Sequence, residues 1–309
     1  MNVRRRAWLG AAIVLVLGSA ALLAIYERGR MNATTPAGML QRLPAQNGLV
    51  VFLDFDALRR AGILKLVSEP KATEEPDYQS FVKATGFDYR RDLDVAAASF
   101  GNDGEYFVVH GHFDWDKLES YAREQGGSCY QHICRMSGST AERRISFLPL
   151  QSNLMALAVS TDSSAAVRLV NPQNGSVQPM ELPGDPLWVS VPTGNLKAAD
   201  RLPAGAGMFA NALGSADKIL VSLTSHDHQF EARLAVTCRT AEDAGALVAQ
   251  LQHATSLVRQ TIAQENQKPS AKDLTGVLTA GVFEQSGRRV LGRWPLAPVF
   301  LESLASGNL

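Results

Sequence analysis

The chain has 309 residues, 30 Lys and Arg against 30 Asp and Glu, 46% hydrophobic and 7% aromatic residues, 25 Gly and 14 Pro. That balance belongs to a globular chain and excludes collagen-like, coiled-coil and disordered classes. The length allows about two domains of roughly 150 residues, each able to bury a core. A zero net charge leaves no footprint for nucleic acid. The zero is nevertheless an average. Residues 1–30 hold five arginines and one glutamate, which leaves 25 basic and 29 acidic residues beyond them.

Arg4, Arg5 and Arg6 precede an apolar to weakly polar run from Ala7 to Tyr26. As a helix, 20 residues would span about 30 Å, the thickness of a bilayer core. A cleaved signal peptide is the competing reading, with Leu9–Leu17 as its apolar core and Gly18-Ser19-Ala20 as its small-residue site. Both readings export the chain. Leu22, Leu23 and Ile25 continue the run past Ala20, which favours an uncleaved signal anchor. The arginine excess before the run keeps residues 1–6 in the cytoplasm and sends the rest outward. The bilayer is thus one expected partner, through residues 7–26. Residues 27–43, with Gly29, Asn32, Thr34, Thr35, Pro36 and Gly38, read as a polar tether.

From Leu43-Pro44 onward short strands alternate with helices. Residues 48–54 are an apolar run of strand length, and Asp56 is placed to cap a helix over Ala57–Val67. Glu74–Thr85 reads as a helix stopped by Gly86. Leu93–Phe100 and Glu105–Phe113 flank the turn composition Gly101-Asn102-Asp103-Gly104 and read as a hairpin. Asp114 caps a helix over Trp115–Gln125 that Gly126-Gly127 ends. Strands over 143–150 and 153–160 and a helix over 163–170 complete this unit.

The order then repeats. Leu187–Val191 is a strand, 195–202 and 207–213 are helical, and Lys218–Ser225 with Phe230–Cys238 forms a hairpin turning at residues 226–229. Thr240 to Asp243 resembles a capping box opening a long helix, in which Leu247, Leu251, Ala254, Val258 and Ile262 recur by four, three, four and four. Strands over 281–284 and 288–294 and a helix over 296–304 follow. The fold class is therefore α+β: two tandem units of antiparallel sheet, 44–171 and 187–309, with helices on one face and a Pro- and Gly-rich junction at 172–186. Two separate sheets are the expectation, with one continuous sheet shared by both units as the alternative.

Leu43-Pro44, then Leu49-Val50-Val51-Phe52-Leu53-Asp54-Phe55-Asp56-Ala57-Leu58-Arg59, and the later Val282-Phe283-Glu284-Gln285-Ser286-Gly287-Arg288-Arg289-Val290, together with one N-terminal membrane helix, resemble uncharacterised bacterial membrane-anchored envelope proteins with domains of unknown function. The resemblance covers most of residues 43–304. It carries over no catalytic residue.

Two His-x-His pairs are the sharpest chemical candidates. On a strand, His110 and His112 would share a face with Tyr106 and Val108 and could supply two metal ligands, with Asp114 and Asp116 the nearest source of a third. A half-exposed polar strand face is the favoured reading of them. His226 and His228 fall at a hairpin tip, a poor place for a preorganised site. Asp54-Phe55-Asp56 and Asp114-Trp115-Asp116 resemble metal-binding Asp-x-Asp pairs, but both sit where a strand passes into a helix and serve as caps. Cys129 and Cys134 can bridge only if residues 130–133 turn back, because five residues of straight strand span about 16 Å. In an oxidising compartment that disulfide is the expected state, with Cys238 left as a buried thiol. The chain therefore reads as a single-pass inner-membrane protein with a periplasmic or extracellular, non-enzymatic domain that binds another envelope component or a ligand, without a cofactor. The rival is a periplasmic metal-assisted hydrolase using His110 and His112.

Overall fold

The computed structural model describes residues 32–44, 48–68, 76–140, 142–172, 182–192, 209, 212–214, 216–226 and 229–306. Among them, twelve strands form one sheet in which each neighbouring pair is antiparallel. In chain order these are β1 (Leu49–Asp54), β2 (Leu93–Gly101), β3 (Gly104–Gly111), β4 (Ser128–Tyr130), β5 (Ile133–Ser137), β6 (Arg144–Gln151), β7 (Leu154–Ser160), β8 (Leu187–Val191), β9 (Lys218–His226), β10 (Gln229–Thr237), β11 (Val282–Ser286) and β12 (Arg289–Leu296). Across the sheet they run β11-β12-β10-β9-β8-β1-β2-β3-β7-β6-β5-β4. The two separate sheets expected from the sequence are instead joined into one, because β1 of the first half pairs with β8 of the second. Its seam is β1 against β8, and from that seam outward the order β1, β2, β3, β7, β6 is mirrored by β8, β9, β10, β12, β11. At the seam Phe52 lies opposite Trp188, their rings stacked with centroids 5.5 Å apart.

The helices begin where capping chemistry allows. Asp54 is the N-cap of α2 (Phe55–Arg60), its Oδ1 accepting from Ala57 N at 2.8 Å. The cap expected at Asp56 thus moves two residues back, and Asp56 instead pairs with Arg59 from the first turn. Gly62, at φ 74°, then interrupts the helix expected over 57–67, so that α3 (Ile63–Ser68) is a separate turn. Next come α4 (Pro76–Thr85), closed by Gly86 at φ 74°, and the short α5 (Tyr89–Asp92). Asp114 caps α6 (Trp115–Glu124) through Lys117 N at 3.2 Å. Thr240 and Asp243 form the reciprocal capping box of α7 (Ala241–Gln264), at 3.0 and 3.1 Å. The α7 stripe Leu247, Leu251, Ala254, Val258 and Ile262 is buried throughout. A short α8 (Leu274–Thr279) and α9 (Pro298–Ser306) complete the chain.

Three apolar clusters share one face of the sheet. Beneath α7 lie Ile219, Leu234 and Val236; α2, α3 and α9 cover the centre; α6, with α4 against it, covers β3, β5, β6 and β7. The other face is not bare. Over β1, β2, β3, β6 and β7 it carries α1 (Pro36–Leu40) and a 3-10 turn, Ala165–Leu169. The one-face expectation fails because these strands are apolar on both sides, as in β7, where Leu154, Ala156 and Ala158 alternate with Met155 and Leu157. The cover also shortens the expected tether, for Met39, Leu40 and Leu43 lie in this core. Arg42 joins it by donating to the Leu169 and Val170 carbonyls at the end of the 3-10 turn.

Among the described residues no helix is long and apolar enough to cross a membrane. The expected anchor, 7–26, lies outside those residues, as do the helices expected over 195–202, most of 207–213, and much of the junction.

Candidate functional site

Both histidines of the first pair stand beside one carboxylate. His110 Nδ1 is 3.2 Å from Asp94 Oδ2, and His112 Nδ1 is 3.9 Å from the same oxygen. Asn153 Nδ2 lies 2.9 Å from His110 Nε2. With the proton on Nδ1 donated to Asp94, Nε2 accepts from the Asn153 amide, and both ring nitrogens are occupied. The strand ends at Gly111, so His112 lies beyond it with a side chain 77% exposed. Tyr106 and Val108, expected on a polar face with these histidines, are core residues. Asp114, considered as a third ligand, caps α6 and pairs with Lys117 at 3.0 Å. Among the described residues no group of three or more His, Cys, Asp or Glu side chains is arranged to hold a metal ion. His226 ends β9 and His228 lies outside the described residues.

Cys129 and Cys134 are bonded, their Cα atoms 4.0 Å apart. They face one another across β4 and β5, a hairpin that reverses in two residues, Gln131 at φ 48° and His132 at φ 63°. Both central residues are left-handed, as in the tight turn whose twist matches paired strands. The reversal required by the spacing is therefore present. Cys238 is a free, buried thiol whose pKa burial raises.

The sheet face away from α7 holds a shallow concavity of about 370 Å³. Its charges answer one another: Ser222 Oγ donates to Asp185 at 2.6 Å, Arg233 meets Glu231 at 2.8 Å and Asp185 at 3.5 Å, and Arg293 meets Glu284 at 3.4 Å.

A different chemistry lies between α4, α6 and the sheet. Here a pocket of about 380 Å³ is walled by aromatic, aliphatic and methionine side chains from α4, β3, α6, β5, β6 and β7. Tyr121 is the one lining residue with a side-chain oxygen. Strand alternation explains why the wall is apolar. Val109, Met155, Leu157, Phe147 and Ile145 share the face opposite Val108 and Ala156, and register places Val109 opposite Met155 and Leu157 opposite Phe147. Phe81 comes down from α4 to meet Tyr121 of α6 edge-on at 5.2 Å, and Phe87 stacks on Phe113 at 5.4 Å. The loop behind Phe87 is pinned by Asp88, which caps α5, accepts from Tyr78 Oη at 2.9 Å and pairs with Arg90 at 2.9 Å. Hydrogen bonding from Arg90, with help from Tyr78, lowers the Asp88 pKa to about 2. Burial, followed by the Asp88 bond, raises that of Tyr78. None of these pocket residues was singled out from the sequence, because they reach one place from positions 81 to 157.

No family model matches the sequence, and no curated protein matches it. Solved structures of TP0453 align with 87% of this chain. Crystal form III does so over 98% of its own chain at 10% identity and TM-score 0.53; forms IV and I cover 95% and 97% of theirs at 13% and 10% identity, both at 0.49. The form III likeness is one of fold.

Proposed function

We propose that the chain is an envelope protein held in the inner membrane by residues 7–26, with its antiparallel fold outside the cytoplasm as a non-catalytic module for binding an envelope component or ligand. The observation that carries this reading is the Cys129–Cys134 bond, since such a bond persists in an oxidising compartment and not among cytosolic thiols. It agrees with the arginine-flanked apolar run at the N-terminus. The mirrored strand order about the β1–β8 seam supports two units descended from one by duplication, 44–171 and 187–309. An apolar pocket bounded by a rigid sheet supports binding as the activity.

The test is to block free thiols at the moment intact cells are broken and then weigh the full chain. One blocked thiol after unfolding, at Cys238, in a membrane-bound chain with residues 1–20 still attached, is the expected result. Three blocked thiols would place the fold in a reducing compartment and overturn the reading. A soluble chain beginning after Ala20 would replace the anchor by secretion.

A further inference from the structure

We propose that the pocket between α4, α6 and the sheet binds one unbranched acyl chain of roughly a dozen carbons, taking each methylene to fill about the 30 Å³ share of a water molecule. Its volume is about 380 Å³, at the small end of ligand pockets, which run from about 300 to 1,000 Å³. The wall decides the ligand class. An apolar cavity holds no ordered water, because water there finds no hydrogen-bond partners. Left empty, its lining also forfeits contacts on one side. A polar ligand would lose its hydration with only the Tyr121 hydroxyl to replace it. An alkyl chain has no hydrogen bonds to water to give up on entry.

The wall also suits a flexible chain over a rigid ring. Met136 and Met155 are unbranched and adjust to a bending ligand. Phe81 and Phe113 supply flat faces on the helix side, while Leu157 and Val109 form the floor on fixed strands. The proposal rests on the anchored reading only for its ligand supply, a bilayer within reach of the pocket.

The experiment uses the full chain kept soluble in a fluorinated surfactant, whose tails do not mix with alkyl chains. The probe is a saturated fatty acid bearing a photoactivatable diazirine near its methyl end, competed with an unlabelled octanoate-to-stearate series. Labelling is expected on peptides containing Phe113, Tyr121 and Met155. Competition should tighten about fourfold per added methylene, the equivalent of roughly 0.8 kcal/mol per buried CH₂, and level off near a dozen carbons. Leu157→Trp, which fills the floor, should move the plateau about two carbons shorter, and Val109→Ala about two carbons longer. The second variant keeps the test decisive if the first does not fold. Labelling confined to residues 7–26, labelling spread over the surface, or competition without chain-length dependence would each overturn the proposal. Thiol blocking in cells reads the compartment alone, so either proposal can fail without the other.

Discussion

At residue scale the least obvious feature is the turn between the bonded cysteines. Gln131 and His132 both occupy the left-handed region, where a side chain costs about 1–2 kcal/mol, and no Asn or Gly announces the turn. The hairpin was therefore legible only through its cysteines, which cannot bridge along a straight strand. Replacing Gln131 by Asn and His132 by Gly should raise unfolding stability by about 1 kcal/mol in denaturant titration without altering the disulfide. Asp88 supplies a pH signature. Its folded pKa of about 2 lies below the unfolded value of about 3.9, so its contribution is complete above that value and disappears as pH falls through 2. Asp88→Asn keeps a capping side chain but loses the charge. The variant should be less stable than the parent at pH 7, and the gap should close between pH 4 and pH 2. A gap unchanged down to pH 2 would show that the charge is not what holds the loop behind Phe87.

Elements with strong local chemistry were readable. The α7 capping box and its four-three-four-four apolar stripe correctly fix both its start and its buried face. Thr240→Ala should cost about 1 kcal/mol, and Leu251→Ala, fully buried on the inner face of the same helix, about 2–5 kcal/mol, both measured by chemical unfolding. Shorter elements hid themselves. In α1 only one turn carries apolar residues, so Met39, Leu40 and Leu43 gave no period amid Pro36, Gly38 and Thr35. Gly38 itself is dictated by crowding, since an added Cβ would collide with the Asn32 carbonyl. The break at Gly62 was equally local. One glycine in an imperfect stripe does not reveal whether a helix passes through it or stops.

For the whole molecule, sequence order and sheet order diverge in an informative way. The repeated pattern correctly gave the hairpins, while the decision between two sheets and one depended on which strand meets β1. That partner, β8, lies more than a hundred residues away, and no local pattern encodes such a pairing. The apolar pocket was hidden for the same reason. Its floor alternates cleanly along each strand, but only the spatial order β3, β7, β6, β5 assembles those faces into one surface beneath α4 and α6. A seam built on Phe52 and Trp188 couples the halves. Trp188→Ala should cost about 3–5 kcal/mol and lower protection from hydrogen exchange in both β2–β3 and β9–β10, whereas independent units would lose it on one side only.

Whether an anchored, exported fold binds a single acyl chain is read from the mass of the intact full chain released from its own membrane. A population carrying one apolar adduct per chain is expected, with an adduct mass that moves to shorter chains in Leu157→Trp and longer ones in Val109→Ala. A chain that leaves the membrane without any bound molecule, or with the same mixed lipids whatever occupies positions 109 and 157, would contradict it.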